Sequence, residues 1–219
     1  MRIIAMTNEG QLPMMKNMLN SALKAGFPMD NFHCYVVDQD KNAATYNTKQ
    51  FQSITLKKLE VILMNLQLDR EILWIDNDIY LFQNMIDEIR SHRGNLVMQD
   101  DLWGPCTGFF LARSSVTTIR VFQKTLQSMR NKLSTDSIAN DQHEFLGIYR
   151  KIIGLIVSIL PHEEYPNGEV YFNQNKKEKA KMVHNNYLPT TSEKIVRFKE
   201  CELWDESDVA YNQVKLYYI

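Results

Sequence analysis

The sequence predicts an α/β fold in which a mostly parallel central sheet is flanked by helices. Strand-like and helix-like segments alternate through the first half of the chain, and one strand-like run, residues 72–75, is apolar throughout. Repeated strand–helix units favour parallel strands with right-handed crossovers, and a wholly apolar strand is typical of a sheet covered on both faces. The 219 residues suffice for one sizeable core. We expect a single domain over 1–219, and the apolar carboxyl end at 216–219 would suit a domain cut from a longer chain.

The first strand–helix unit occupies the amino-terminal part of the chain. Residues 2–6 favour a strand, 7–10 a loop, and Gly26 is placed to end the helix that follows. That helix is predicted because apolar residues recur at spacings of three and four: Leu12, Met15, Met18, Leu19, Ala22 and Leu23. A second strand at 32–37 then ends on Asp38.

The second helix begins near Ser53, a plausible N-cap. Its buried side is predicted from a further apolar stripe: Leu56, Leu59, Ile62, Leu63 and Leu66. The apolar strand comes next, and later elements are expected in this order: a short helix at 85–90, strands at 95–99 and 108–112, and a helix at 116–133. Residues 152–160 fit either a helix or a buried strand, and 173–181 favour a solvated loop.

Composition and charge exclude several classes of function. The formal net charge of −1 provides no basic field for nucleic acid or an anionic membrane. The three cysteines form no Cys-x-x-Cys pair, which argues against structural zinc and a disulfide framework and favours a reducing compartment. The apolar run at 152–160 falls far short of the ~20 residues of a membrane span, and the amino terminus is too short an apolar run for a signal peptide. We therefore expect a cytoplasmic protein without a membrane span or a nucleic-acid partner.

The most informative feature is a pair of acids at the end of the apolar strand. Asp76 and Asp78 are separated by Asn77, and in an extended chain residues i and i+2 point the same way. Two adjacent carboxylates repel each other unless a cation or a proton intervenes. Carboxylates suit Mg²⁺ or Mn²⁺, which proteins often hold together with substrate phosphates. The pair therefore indicates a divalent metal and a phosphate-bearing substrate.

Other interpretations of the same residues stay open at this stage. Asp-Asn-Asp after a strand is also common turn chemistry, because these side chains bond their own backbone. An apolar strand ending in Asp-x-Asp is also found in haloacid-dehalogenase phosphatases, where Asp76 would be the nucleophile and Asp78 the acid/base. Tyr80 and the position of the motif far from the amino terminus argue against that enzyme. A non-catalytic module that binds sugars or nucleotides is a third possibility.

Four segments together resemble the nucleotide-diphospho-sugar glycosyltransferases of the GT-A fold. Residues 73–78 match the strand and Asp-x-Asp motif of these enzymes, 106–114 resembles their Asn-Thr-Gly-Phe-Phe segment, and 140–142 resembles their Asp-Gln pair. Residues 182–204 resemble their closing His...Lys...Trp segment, although Pro189 stands in the gap and Ile195 follows the lysine. The resemblance spans about residues 1 to 204. Among these enzymes, the sequence is similar to glycosyltransferase families 8 and 77 and to a viral glycosyltransferase domain.

The resemblance implies a Rossmann-like GT-A fold and a metal-dependent transfer from a UDP-hexose or UDP-deoxyhexose, with retention, to a glycan or glycoprotein acceptor. Mn²⁺ (or Mg²⁺) would be held by Asp76, Asp78 and a neutral His184. The nucleotide-sugar site would comprise the two acids together with these residues: Thr7, Asn8, Asp38, Thr55, Lys58, Asn77, Thr107, Gly108 and Lys194. For the lysines and Thr55, a solvated helix or loop position is the alternative.

The resemblance also implies that Asp141 and Gln142 contact the donor sugar at the reacting centre. A carboxylate there would stabilise positive charge on the sugar, as carboxylates do in glycoside hydrolysis. Asp141 could instead serve only to open a helix. Asp100 and Asp101 are placed to face the same cleft, and Trp103 and Trp204 are candidates either for stacking on a sugar ring or for ordinary packing.

Overall fold

The computed structural model describes residues 1–37, 45–46, 48–135 and 137–219. Its strands, in chain order, are β1 (Arg2–Asn8), β2 (Phe32–Val37), β3 (Glu71–Ile75), β4 (Ile79–Leu81), β5 (Leu96–Asp100), β6 (Pro105–Arg113), β7 (Val157–Leu160), β8 (Met182–His184) and β9 (Lys215–Tyr218). Its α-helices are α1 (Leu12–Lys24), α2 (Lys49–Leu68), α3 (Ile86–Ser91), α4 (Val116–Ser134), α5 (Asp141–Ile148) and α6 (Thr191–Glu200).

The central sheet has seven strands in the order β7-β5-β6-β3-β1-β2-β9. β6 runs antiparallel to both of its neighbours, β3 and β5, whereas the other strand pairs in this sheet are parallel. The predicted α/β architecture with a mostly parallel sheet flanked by helices is confirmed. Because β1 and β3 are parallel neighbours, their carboxyl ends open onto the same edge of the sheet.

Two hydrophobic layers cover the faces of this sheet. Alternating residues of β1 point to opposite sides, so that Ile3 packs with the apolar side of α1 and Ile4 packs with α2, α4 and α5. β3 divides in the same way, with Leu73 on the α1 side and Trp74 on the α2 side. Both layers exclude water, as the fully apolar run at 72–75 predicts.

β4 and β8 form a second sheet of two strands, on one side of a cleft at the carboxyl ends of β1 and β3. β8 ends on His184, opposite Ile79 of β4. The next helix, α6, has a capping box in which the Thr190 hydroxyl accepts from Glu193 N and the Glu193 carboxylate accepts from Thr190 N. Phe198 of α6 is fully buried against a third apolar cluster. β8 and α6 therefore hold side chains of the carboxyl-terminal third of the chain in fixed positions that face the end of β3.

Several local predictions were wrong. Thr48, not Ser53, caps α2, because the helix begins a full turn earlier and the Thr48 hydroxyl accepts from Phe51 N. Residues 152–160 form neither a helix nor a buried strand: β7 covers only their second half, at the sheet edge, where Ile159 is 42% exposed. β8, α6 and β9, which pairs with β2, were not predicted from the sequence.

Among the described residues, no helix is at once long enough and apolar enough to cross a lipid bilayer.

The buried side of α2 should carry much of the stability. Ile62 is fully buried against the sheet, whereas Ile153 is 93% exposed. We expect Ile62→Ala to lower the free energy of unfolding by about 2–5 kcal/mol, because an isoleucine truncated in a packed core leaves a cavity. Ile153→Ala is the matched control and should change it by less than ~0.5 kcal/mol. Urea denaturation measures both values, and equal effects would contradict the assignment of this core.

His33 should make the fold sensitive to acid. It lies on β2, with Nδ1 2.9 Å from the Tyr217 hydroxyl of β9. Burial, with Arg2 and Lys215 nearby, lowers the pKa of His33 from 6.5 to about 4. Between these values the unfolded chain binds a proton that the folded chain does not, so the free energy of unfolding should fall as the pH drops. His33→Gln should flatten this dependence in urea titrations at several pH values; an unchanged slope would contradict it.

Candidate active site

A cavity of about 610 Å³ opens where β1, β3 and β6 meet at the edge of the sheet. Helices α2 and α5 form one wall, and β8 and α6 form the other. Most of the residues predicted from the sequence line this cavity: Thr55, Lys58, Asp76, Asn77, Asp78, Thr107, Gly108, Asp141, Gln142, His184 and Lys194. The fold thus brings together side chains that lie up to 139 positions apart in the sequence, from Thr55 to Lys194.

The acid pair lies on a tight turn between β3 and β4 rather than on an extended strand. Asp76 N donates to Gly108 O at 2.8 Å, and Ile79 N donates to Asp76 O at 3.3 Å. Asp78 O accepts from Asn185 N at 2.8 Å, which ties the turn to the residue after β8. From the sequence, a turn and a metal site shared by the two carboxylates were alternatives. In the structure the turn itself directs both carboxylates toward one point in the cavity.

Asp76 is held by an indole and an ammonium group. Its Oδ1 accepts from Trp74 Nε1 at 2.7 Å, and Lys58 Nζ lies 3.1 Å from Oδ1 and 3.2 Å from Oδ2. Burial raises the pKa of Asp76 against the opposing effect of Lys58, and the negative charge of Asp78 raises it further. The carboxylate of Asp76 therefore gains from additional positive charge.

Asp78 is paired on both oxygens. Lys194 Nζ lies 2.7 Å from Oδ2, and His184 Nε2 lies 3.2 Å from Oδ1. Burial alone would raise the pKa of Asp78, but Lys194 and His184 hold it well below its usual range. Asp78 is therefore ionised and already neutralised by two neighbouring groups in this structure.

Gln99 fixes the orientation of the His184 ring. The amide nitrogen of Gln99 donates to Tyr165 O at 3.0 Å and to Pro166 O at 3.1 Å, so its Oε1 must face His184 Nδ1, 2.9 Å away. An acceptor at that distance places a hydrogen on Nδ1, so Nε2, which faces Asp78, is the nitrogen that could bind a metal after losing its own proton. Burial lowers the pKa of His184, but the carboxylate of Asp78 raises it well above 6.5.

These three side chains fit a divalent cation. One ligand atom from each of Asp76, Asp78 and His184 lies within 4.8 Å of the others. Gly108 leaves room for them, because a Cβ at this position would clash with the His184 ring and lie 2.9 Å from Asp76 Oδ2. Two carboxylates and an imidazole oriented by an outer amide are a familiar donor set for a catalytic metal.

A second buried network joins α2, β6 and α5. Lys58 Nζ lies 3.0 Å from Asp141 Oδ2, so the same ammonium group bridges Asp141 and Asp76. The Thr107 hydroxyl donates to Asp141 Oδ2 at 2.8 Å, and Thr107 N donates to Gln142 Oε1 at 2.7 Å. Burial lowers the pKa of Lys58, but Asp141 and Asp76 raise it above its usual value. The interpretation of Lys58 as a solvated helix residue is wrong, since it is 5% exposed.

The remaining predicted residues lie in different places. Thr7 and Asn8 are buried at the end of β1, below the cavity lining, where the Thr7 hydroxyl accepts from Asn77 Nδ2 at 3.2 Å. Asp38 lies outside the described residues. Asp101 and Trp103 line the cavity, whereas Asp100 lies beside it, and Trp204 packs against Phe198 with ring centroids 6.5 Å apart.

The sequence analysis missed Gln99 and the contact of Cys106 with His184. Gln99 is fully buried near the carboxyl end of β5, and Cys106 Sγ lies 3.7 Å from His184 Nδ1. A polar residue inside an otherwise apolar strand was the available signal for Gln99, because a buried amide must find partners. Cys106 gave no such signal, since a free cysteine is among the residues most often buried.

Two curated proteins are similar to this chain in sequence. One is the UDP-galactose:fucoside alpha-3-galactosyltransferase of Dictyostelium discoideum, 27% identical over 207 residues, with 78% of this chain and 32% of that protein covered. The other is the beta-arabinofuranosyltransferase RAY1 of Arabidopsis thaliana, 25% identical over 198 residues, with 75% of this chain and 36% of that protein covered. The chain spans about a third of the length of these relatives.

Solved structures share the fold. A glycosyltransferase involved in glycosylation of the major capsid of PBCV-1 has a TM-score of 0.61 and 12% identity, with 91% of this chain and 100% of that chain covered. The expected likeness to a viral glycosyltransferase domain is thus confirmed for the fold. The galactosyltransferase LgtC, solved with donor and acceptor sugar analogues, has a TM-score of 0.56 and 11% identity, with 93% and 95% covered.

The family described as nucleotide-diphospho-sugar transferase matches residues 16–198, which include the acid pair, β6, α5, His184 and Lys194. This match covers most of the chain, and it agrees with the GT-A resemblance inferred from the four motifs. The phosphatase and the non-catalytic module considered from the sequence are not favoured by it. The chain belongs to the nucleotide-diphospho-sugar transferase family of glycosyltransferases.

Proposed function

We propose that the protein transfers a sugar from a UDP-linked hexose or deoxyhexose to a hydroxyl group of a glycan or glycoprotein, with a divalent metal as cofactor. The convergence of Asp76, Asp78 and His184 beside two lysines in one cleft carries the proposal. In the reaction the bond between the anomeric carbon and the UDP oxygen breaks, and a bond to the acceptor oxygen forms. The acceptor hydroxyl loses its proton, so the products are the glycoside, UDP and one proton.

Asp76, Asp78 and His184 Nε2 would hold Mn²⁺ or Mg²⁺ next to the diphosphate. When bound, the metal supplies a Lewis acid that neutralises negative charge on the departing UDP. The carboxylate majority of this donor set favours these ions over a structural zinc. The name of the Dictyostelium discoideum relative supports UDP as the carrier nucleotide.

Two lysines contribute positive charge to the cleft, and we assign a different role to each. Lys58 is buried and bridges Asp76 and Asp141, so we assign it to positioning these carboxylates. Lys194 is less buried, with its side chain 22% exposed, and among the described residues it forms an ion pair with Asp78 alone. A flexible ammonium group of this kind can exchange a carboxylate for a phosphate. We therefore assign Lys194 to the diphosphate of the donor.

The donor sugar would lie against α5 and β6. Thr107 and Gln142 hold each other and fix Asp141 at the side of the cleft. The Asp141 carboxylate would face positive charge that develops on the sugar ring, and the amide of Gln142 and the backbone at Gly108 would position that ring. Retention at the anomeric carbon is part of the proposal because the sequence resembles families 8 and 77.

The nucleoside would lie over the ends of β1 and α2. Thr7 and Asn77 are linked by a hydrogen bond at that edge, and Asn8 accepts from Gln11 N in the turn that enters α1. Thr55 faces the cavity from α2, and we also propose Asp38 as a contact for the ribose or the base.

The elements that form the cleft surround one sheet and its two cores, so we infer that residues 1–219 form a single catalytic domain.

Removing the carboxylate charge of Asp78 should strongly weaken the metal-dependent binding of UDP. We expect Asp78→Asn to weaken it by roughly 100-fold or more, because even outer partners of metal ligands contribute 10–100-fold. Asp87→Asn, at an exposed position on α3, is the matched control and should behave as the wild type. Titration calorimetry with UDP, with and without Mn²⁺, measures the effect. Manganese-dependent binding that survives Asp78→Asn would contradict the proposed site.

Removing Lys194 should have opposite effects on metal and nucleotide. Without nucleotide, Lys194 competes with a cation for Asp78 Oδ2, so we expect Lys194→Met to tighten Mn²⁺ binding by about tenfold, equal to ~1.4 kcal/mol. In the presence of Mn²⁺, the same variant should bind UDP more weakly because the diphosphate loses an ammonium partner. Lys199→Met, on the exposed side of α6, is the control. Weaker Mn²⁺ binding by Lys194→Met would show that Lys194 does not compete for this site.

A further inference from the structure

The loop between β5 and β6 holds a tryptophan outward at the mouth of the cleft. Trp103 is 81% exposed, although its side chain is the largest of the apolar set. Asp101 N donates to Gly104 O at 2.8 Å and closes the loop. Leu102 has a φ of 64°, a left-handed conformation that a non-glycine residue rarely adopts. Strain of this kind persists only where surrounding contacts impose it, and it is concentrated at functional sites.

Those contacts are present on both sides of the loop. The Asp101 carboxylate accepts from Asn186 Nδ2 at 2.9 Å, and Asp101 O accepts from the Tyr187 hydroxyl at 3.0 Å. On the other side Gly104 packs on α5 so closely that a Cβ there would lie 3.0 Å from Leu146 Cδ2. The exposure of Trp103 is therefore a property of an anchored loop.

A groove of about 400 Å³ lies on the far side of this loop from the donor cleft. Its walls come from the loop, the edge strand β7 and the end of α5: Asp100, Leu102, Trp103, Gly104, Pro105, Tyr149, Arg150, Val157 and Ile159. Among the described residues, Trp103 is the one that lines both the groove and the donor cleft. Gln142 Nε2 donates to Pro105 O at 2.9 Å, so the inner end of the groove is joined to a residue of the donor site.

The groove combines flat apolar surfaces with unused polar groups. Tyr149 stacks on Phe145 with ring centroids 5.5 Å apart, and its hydroxyl accepts from Arg150 Nε at 2.8 Å. Arg150 has no carboxylate at ion-pair distance within the parts of the chain that the structure describes. Its remaining N–H groups are therefore available to acceptors in the groove. Asp100 lies at the same groove, with Oδ2 2.9 Å from His162 Nε2.

Carbohydrate matches this surface. A pyranose ring has an apolar C–H face, which packs against an aromatic ring, and a rim of hydroxyl groups, which take fixed donors and acceptors. The groove offers two aromatic rings, an arginine and a carboxylate, and it contacts the donor cleft at Trp103. A chain of sugars could thus lie in both cavities at once, with its reacting ring in the cleft.

We propose that this groove binds the second sugar ring of an oligosaccharide acceptor, with Trp103 stacked on the ring where groove and cleft meet. The inference rests on the proposed glycosyl transfer and specifies its acceptor as at least a disaccharide. Trp103 and Arg150 would then determine the length preference for the acceptor. They would act separately from Asp76, Asp78 and His184.

The tryptophan indoles can test both claims in one experiment. The chain has three tryptophans: Trp74 donates to Asp76 in the donor site, Trp103 lies at the groove, and Trp204 packs against Phe198. In ¹⁵N–¹H spectra assigned with single Trp→Phe variants, UDP with Mg²⁺, which is diamagnetic, should shift Trp74. Lactose, cellobiose, maltose and a fucose-terminated disaccharide are then added in turn, beside the matching methyl monosaccharides. At least one disaccharide should shift Trp103 more than its monosaccharide does, without shifting Trp204.

Variants separate stacking from a structural role. Trp103→Ala should weaken binding of the active disaccharide roughly tenfold, as for a central aromatic residue of an interface, and Trp103→Phe should recover most of it. Tyr218→Ala, at an exposed position on β9, is the control and should bind the disaccharide as the wild type does. If no disaccharide shifts Trp103, or if Trp103→Ala binds it as the wild type does, the groove is not an acceptor site. A Trp74 resonance that UDP and Mg²⁺ leave unmoved would instead overturn the proposed function.

Discussion

The structure of the cleft depends on the neutralisation of two carboxylates that the fold places side by side. Asp76 and Asp78 lie on the turn that follows a strand buried on both faces, and the buried carboxylate of Asp78 would carry a large desolvation penalty if it were unpaired. The fold supplies cations from distant elements: Lys58 from α2, Lys194 from α6, and the imidazole of His184 from β8. The need to satisfy the acid pair thus links the first half of the chain to the last third. The same arrangement provides the donor set for a metal.

Much of the central sheet could be predicted from sequence because its signals are local. The apolar strand β3, the amphipathic helix α1 and the early strand–helix alternation all follow from hydrophobic periodicity. The direction of β6 could not be predicted, since a buried strand has the same pattern whether it is parallel or antiparallel to its neighbours. β8, with three residues, and β9, with four, are too short to be distinguished from loops by their sequence pattern.

The residues of the candidate site likewise divide into those with a local sequence signal and those without one. The acid pair is recognisable by its own chemistry, whereas His184, Lys194, Asp141 and Gln142 were found only because their segments resemble those of a known family. Their convergence in one cavity comes from tertiary structure. The burial of Lys58 could not be predicted from the helical pattern, because its position on α2 is compatible with exposure to solvent. It is buried because it pairs with Asp76, after β3, and with Asp141 of α5. Gln99 was missed because its importance depends on two backbone carbonyls that fix its amide.

A crystal structure of the protein with Mn²⁺ and UDP, in which anomalous scattering locates the metal, would test the proposed metal site. We expect one manganese ion about 2.1 Å from carboxylate oxygens of both Asp76 and Asp78 and near His184 Nε2, with Lys194 turned from Asp78 toward the diphosphate. Manganese bound elsewhere, or Asp78 still paired with Lys194 beside a bound UDP, would contradict it.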